Sequence, residues 1–131
     1  MNDVIRVGNV SSINYKKGLI EVTYPDLDDS VTDALPVFNF TGEYKMPKVG
    51  DEVLVIHLSN GESAGIVMGR FWEEDNLPPA YGKNFFRKEL GEDYGEAFIQ
   101  YKDGDMFFKD QKGSSTLISI LNRLSALEAR L

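Results

Sequence analysis

Cysteine is missing from this 131-residue chain, and with it go disulfides, thiolate metal sites and cysteine nucleophiles. That absence leaves the compartment open. Histidine occurs once, as His57, with neither a second histidine nor a cysteine to complete a transition-metal site. Long apolar runs are lacking too: Gly, Pro or charge breaks every one well short of the ~20 residues a bilayer span needs. The start, Met1-Asn2-Asp3, has none of the basic and apolar regions of a secretory signal. The expectation is a protein made in the cytoplasm, soluble there, with no stable membrane insertion. Positive charge is the other scarcity, with 14 Lys and Arg against 21 Asp and Glu and a net charge of -7. Residues 1–70 carry -4, residues 71–113 carry -4 and residues 114–131 carry +1. No basic stripe is available to displace counterions from a phosphate backbone, so nucleic acid is not an expected partner.

What is present suffices for one modest core and a small appendage, because 42% of the residues are hydrophobic and 27% charged. The chain ends in a seam, with Leu117, Ile120, Leu124, Leu127 and Leu131 alternately three and four residues apart. So short a helix is marginal in water alone, and its apolar stripe calls for copies of itself. Within it, Arg123-Leu124-Ser125-Ala126-Leu127-Glu128 resembles the Arg-hydrophobic-x-x-hydrophobic-Glu motif of short parallel three-stranded coiled coils. In that motif the arginine packs over the core and reaches the glutamate of the next helix. An amphipathic helix folded back on its own domain is the alternative, and strict 3-4 spacing weighs against it.

Upstream, the first seventy or so residues read as short strands joined by turns. Val4–Ile13 and Leu19–Tyr24 form an expected hairpin around Lys16-Lys17-Gly18, and an acidic loop, 26–33, leads to Ala34–Phe40, where Pro36 suggests an edge. Pro47-Lys48-Val49-Gly50-Asp51 opens Glu52–Leu58, and Asn60-Gly61 turns the chain into Ser63–Phe71. Strands with no helical period between them suit a small closed barrel. Residues 73–96 read as a linker or extended arm. Ala97–Tyr101 and Met106–Lys109 flank Asp103-Gly104 as a second hairpin, which two strands alone cannot stabilise. Gly113-Ser114-Ser115 offers a flexible joint and a serine N-cap for the helix.

Taken in order, Ile5-Arg6-Val7-Gly8-Asn9-Val10, Pro47 through Val55, Gly65-Ile66-Val67-Met68-Gly69 and Glu96 through Asp105 resemble the phage baseplate assembly protein V family, over about residues 4–110. These are central spike proteins of contractile tails, similar in their OB-fold domain to type VI secretion and phage-like bacteriocin spikes. The resemblance implies a mainly β homotrimer with an OB-fold barrel at 1–72 and a linker and short intertwined β segment at 73–113, and it makes a trimeric reading of the helix at 114–131 natural, since a parallel coiled coil would continue the same axis. It implies Phe98, Ile99, Tyr101, Met106, Phe107 and Phe108 in the intertwined segment. Trimerisation falls to Leu117, Ile120, Arg123, Leu124, Leu127, Glu128 and Leu131. Implied partners are tail hub and baseplate proteins and a separate tip protein, in a virion or phage-tail-like particle built from subunits made in the host cytoplasm. Longer family members carry an extended needle with a His-x-His metal site, which has no counterpart in this sequence.

Other chemistry fares poorly. Gly61-Glu62-Ser63-Ala64-Gly65 has the Gly-x-Ser-x-Gly pattern of a nucleophile elbow, but a β-rich run follows it and the histidine precedes it. His57 reads as structural or exposed. Asp26, Asp28, Ser30 and Asp33 begin like a calcium loop, yet Val31 and Val37 fall where the glycine and glutamate belong. No cofactor, metal or catalytic residue is expected. Two further function classes stay open: a cell-wall-degrading enzyme with a carboxylate pair, and an OB-fold protein that stacks single-stranded nucleic acid on Phe38, Phe40, Tyr44, Phe71 and Trp72. Packing is the preferred reading of those aromatics, with Trp72 as an interface anchor.

Overall fold

Alternating burial organises the N-terminal half of this computed structural model, which describes residues 4–58 and 64–131. Expectations resting on Met1-Asn2-Asp3, the Asn60-Gly61 turn and the first three positions of the Gly-x-Ser-x-Gly run lie outside the described residues. Contacts divide the chain into two units, Met1–Asn76 and Leu77–Leu131.

In the first unit, β1 (Ile5–Asn14) and β2 (Leu19–Tyr24) form the expected hairpin. Two-residue strands β3 (Ser30–Val31) and β4 (Leu35–Pro36) follow, then β5 (Glu52–His57) and β6 (Gly65–Gly69). The antiparallel sheet runs β3-β2-β1-β5-β6, with β4 also paired to β2. Successive side chains point to opposite faces. Arg6, Gly8 and Val10 therefore turn inward from β1, Ile20, Val22 and Tyr24 from β2, and Val53, Val55 and His57 from β5. An extra residue in β1, between Val10 and Ser12, ends that alternation. Leu35 and Val67 complete the core, and Ile13, Leu27, Val37 and Met46 pack around it.

Among the described residues the closed barrel expected from the sequence is not found. Val37 makes an isolated parallel bridge to Val67, and the Phe38 N–H donates to the Val67 carbonyl at 2.9 Å, but no ladder develops there. Pro36 has no N–H to contribute, and the strand read over Ala34–Phe40 shrinks to Leu35–Pro36. Two inward positions are constrained more sharply. A Cβ on Gly8 would lie 2.5 Å from Val22 Cγ1 and 2.6 Å from the Tyr24 ring. His57, 2% exposed, meets the Tyr24 hydroxyl through Nε2 at 2.5 Å and the Ala64 carbonyl through Nδ1 at 3.3 Å. A carbonyl only accepts, so Nδ1 carries the proton and the tyrosine hydroxyl donates to Nε2. His57 is thus a satisfied core residue.

The second unit is a four-stranded antiparallel meander, β7 (Phe85–Glu89), β8 (Phe98–Lys102), β9 (Asp105–Asp110) and β10 (Gly113–Thr116), followed by helix α1 (Leu117–Glu128). Asp103 and Gly104, with φ of 51° and 81°, close the β8–β9 hairpin as an Asp-Gly pair should. Two sequence readings need correction. The arm read at 73–96 contains β7, paired along its length to β8. The joint read at Gly113-Ser114-Ser115 is instead β10, because Asp110 Oδ1 accepts from the N–H groups of Lys112 and Gly113 and turns the chain back onto β9. Helix α1 accordingly starts later than expected, and its N-cap is Thr116, whose hydroxyl accepts from Ser119 N–H at 3.1 Å.

Candidate oligomerisation surface

Apolar side chains outnumber the partners available to them in the second unit. Among its described residues Phe98 alone is a buried hydrophobic. Helix α1 buries nothing: Leu117 is 42% exposed, Leu124 52% and Leu131 101%, and Ile120 and Leu127 fall between. Ile118 and Leu121, outside the seam read from the sequence, are likewise exposed and widen its apolar arc. Twelve residues make a rod only about 18 Å long, near the limit for a helix without tertiary support. Arg123 and Glu128 are five positions apart, beyond the i,i+4 reach of one helix. Among the described residues they form no ion pair within the chain.

Register divides the six apolar residues of the β segment between two faces. Phe98 and Phe107 share one side, their rings stacked at 5.6 Å. The Arg87 guanidinium lies 3.5 Å from the Phe98 centroid, ion-paired to Glu89, whose Oε1 also accepts from Gly95 N–H at 2.7 Å. This cation on an aromatic face, with both charges 13% exposed or less, fastens that side of the sheet. Ile99 opposite Phe108, and Tyr101 opposite Met106, occupy the other side, where Phe86 extends the row at 60% exposure. The backbone partners expected from other chains come from this one: β8 lies between β7 and β9, and β9 between β8 and β10. What stays open is the β7 and β10 edges and the apolar side chains. Sequence reasoning missed Arg87 and Glu89; a cation and an anion at i and i+2 of a strand share a face, and that was the available signal.

Trp72, 57% exposed, belongs to the first unit, in a turn where Asn76 Nδ2 donates to the Phe71 carbonyl at 2.8 Å. Near that turn Asp51, Glu52, Arg70, Glu73 and Asp75 line a polar cleft of about 220 Å³. A hydrogen bond to Glu52 raises the Glu73 carboxyl above its ordinary pKa; desolvation and repulsion from Glu52 and Asp75 add to the rise, and Arg70 opposes it. No group of three or more metal-ligating side chains occurs among the described residues. Among them, too, no helix is long and apolar enough to cross a membrane. No protein-family model matches this chain, and no curated protein matches it in sequence.

Proposed function

We propose that this chain is the structural subunit of a trimeric central spike or hub in a contractile phage tail or phage-tail-like particle, working mechanically and not as an enzyme. The observation that carries the reading is helix α1, whose apolar seam has no buried residue and stays at least 42% exposed in a single copy. Each Leu or Ile sealed in a three-helix core contributes about 1.5–3 kcal/mol, and three seams in parallel let each Arg123 reach a neighbour's Glu128. Support also comes from the first unit. Its strand order, with the Val37–Val67 bridge linking the β4 end to β6, suits a partly open five-stranded Greek-key barrel of the OB type. An OB-type unit followed by short β strands is the order that the resemblance to baseplate assembly protein V implies, and a trimerising helix would continue the same threefold axis.

On this reading the barrels dock on a hub ring and organise the baseplate, and a separate tip protein completes the point. The subunit is made in the host cytoplasm and ends up in the particle. Immunogold labelling of purified tail particles from producing cells tests this. Label confined to one end of the tube is the expected result; particles that carry no label, with the protein left in the particle-free fraction, would contradict it.

A further inference from the structure

A groove of about 380 Å³ on the first unit lies between the β1–β2 hairpin tip and the segment after β4. It gathers three lysines, Lys16, Lys17 and Lys45, and one carboxylate, Glu43, beside Phe38 and Tyr44, and so is net cationic in a chain whose net charge is -7. Its walls are tied together, since the Tyr44 hydroxyl donates to the Tyr15 carbonyl at 2.9 Å across the groove. One wall is also held in an uncommon conformation. Phe40, Thr41 and Gly42 follow one another at φ of 44°, 60° and 98°, and for a bulky residue such as Phe40 the left-handed region is an outlier that points to a task. That turn leaves Phe40 62% exposed, edge-on to Phe38 at 4.7 Å.

The opposite charge lies at the far end of the same strand. β2 leaves the Lys16-Lys17 tip and, six residues or about 20 Å later, enters the turn that carries Asp28 and Asp29. Both aspartates are exposed, adjacent in one turn, and sit at φ of 55° and 57°. The unit is therefore polarised along β2, cationic and aromatic at one end and anionic at the other. Such a body is complementary to a second copy of itself head to tail, and a heterologous contact of that kind closes into a ring when the rotation allows.

From this polarity we infer that the Lys16/Lys17/Lys45 groove is an intersubunit socket for the Asp28-Asp29 turn of the adjacent copy. The inference rests on the trimeric reading and adds to it a second contact, between the N-terminal units. Its test uses the full chain, with unlabelled and 15N-labelled protein unfolded and refolded together in equal parts, then treated with a zero-length carbodiimide crosslinker. Expected are mixed-isotope crosslinks from Lys16 or Lys17 to Asp28 or Asp29. Lys16→Glu with Lys17→Glu removes the amines and so abolishes these crosslinks, and adding Asp28→Lys with Asp29→Lys should restore intersubunit crosslinks of the reversed sense, from carboxylates at 16 and 17 to amines at 28 and 29. Light scattering on the same samples separates the two claims. A trimer without these crosslinks, or one indifferent to charge reversal, overturns the socket and leaves the trimer standing. A monomer at every concentration overturns both. Tight binding of a fluorescent single-stranded oligonucleotide that the Lys16→Glu/Lys17→Glu variant loses would overturn the socket in favour of a nucleic-acid groove.

Discussion

Gly8 has no room for even a methyl group. Val22, Tyr24 and the Thr23 carbonyl all lie within 2.7 Å of where its Cβ would stand, so Gly8→Ala must push β1 away from β2. A loss of about 1–3 kcal/mol in urea unfolding is expected, with the slope unchanged. Tyr24→Phe removes the buried hydrogen bond to His57 Nε2, at a cost of about 1–3 kcal/mol in the same measurement. Glu73 makes a smaller, signed prediction. Its carboxyl binds a proton more tightly folded than unfolded, so its contribution to stability is present at low pH and is lost as pH rises through the elevated pKa. Glu73→Gln should flatten that segment of the stability-pH profile; an unaltered profile would remove Glu73 as its source. At this scale the sequence was half legible. His57 could be dismissed as a ligand by counting potential ligands, but its pairing with Tyr24, across 33 residues and two strands that both flank β1, carries no local signal.

Among the elements, those written in local chemistry were readable. Leu19–Tyr24 alternates cleanly and ends at Pro25, and Asp103-Gly104 marks its hairpin, so both stand where periodicity puts them. β7 and β10 were not readable because their stability is borrowed. Phe85-Phe86-Arg87-Lys88-Glu89 shows no alternation of apolar and polar residues, and it becomes a strand because Arg87 and Glu89 are satisfied over Phe98. Gly113-Ser114-Ser115-Thr116 has the composition of a joint and is extended by pairing with β9. Thr116 then ends β10 and caps α1 at once. Thr116→Ala should cost about 0.5–2 kcal/mol and lower the helical signal in far-ultraviolet circular dichroism, whereas Thr116→Ser should retain it. The seam at Leu117, Ile120, Leu124, Leu127 and Leu131 was legible as a pattern, and the structure adds that a single chain buries none of it.

For the molecule as a whole, the balance of buried and exposed apolar groups is uneven between the units. Among the described residues the first unit has a core of eight buried hydrophobic side chains, whereas the second buries Phe98 and exposes a helix. If three copies cover that helix, thermal stability must rise with protein concentration, since assembly and folding of the second unit are then linked. Leu124→Asp with Leu127→Asp places six carboxylates in a three-helix seam and should weaken assembly at least about a hundredfold, while the first unit stays folded. The direct measurement is the solution mass of the intact chain by sedimentation velocity across a dilution series. The account predicts a species of three times 14.7 kDa that persists on dilution and is lost in the double aspartate variant. A single, well-folded 14.7 kDa species at every concentration would contradict it.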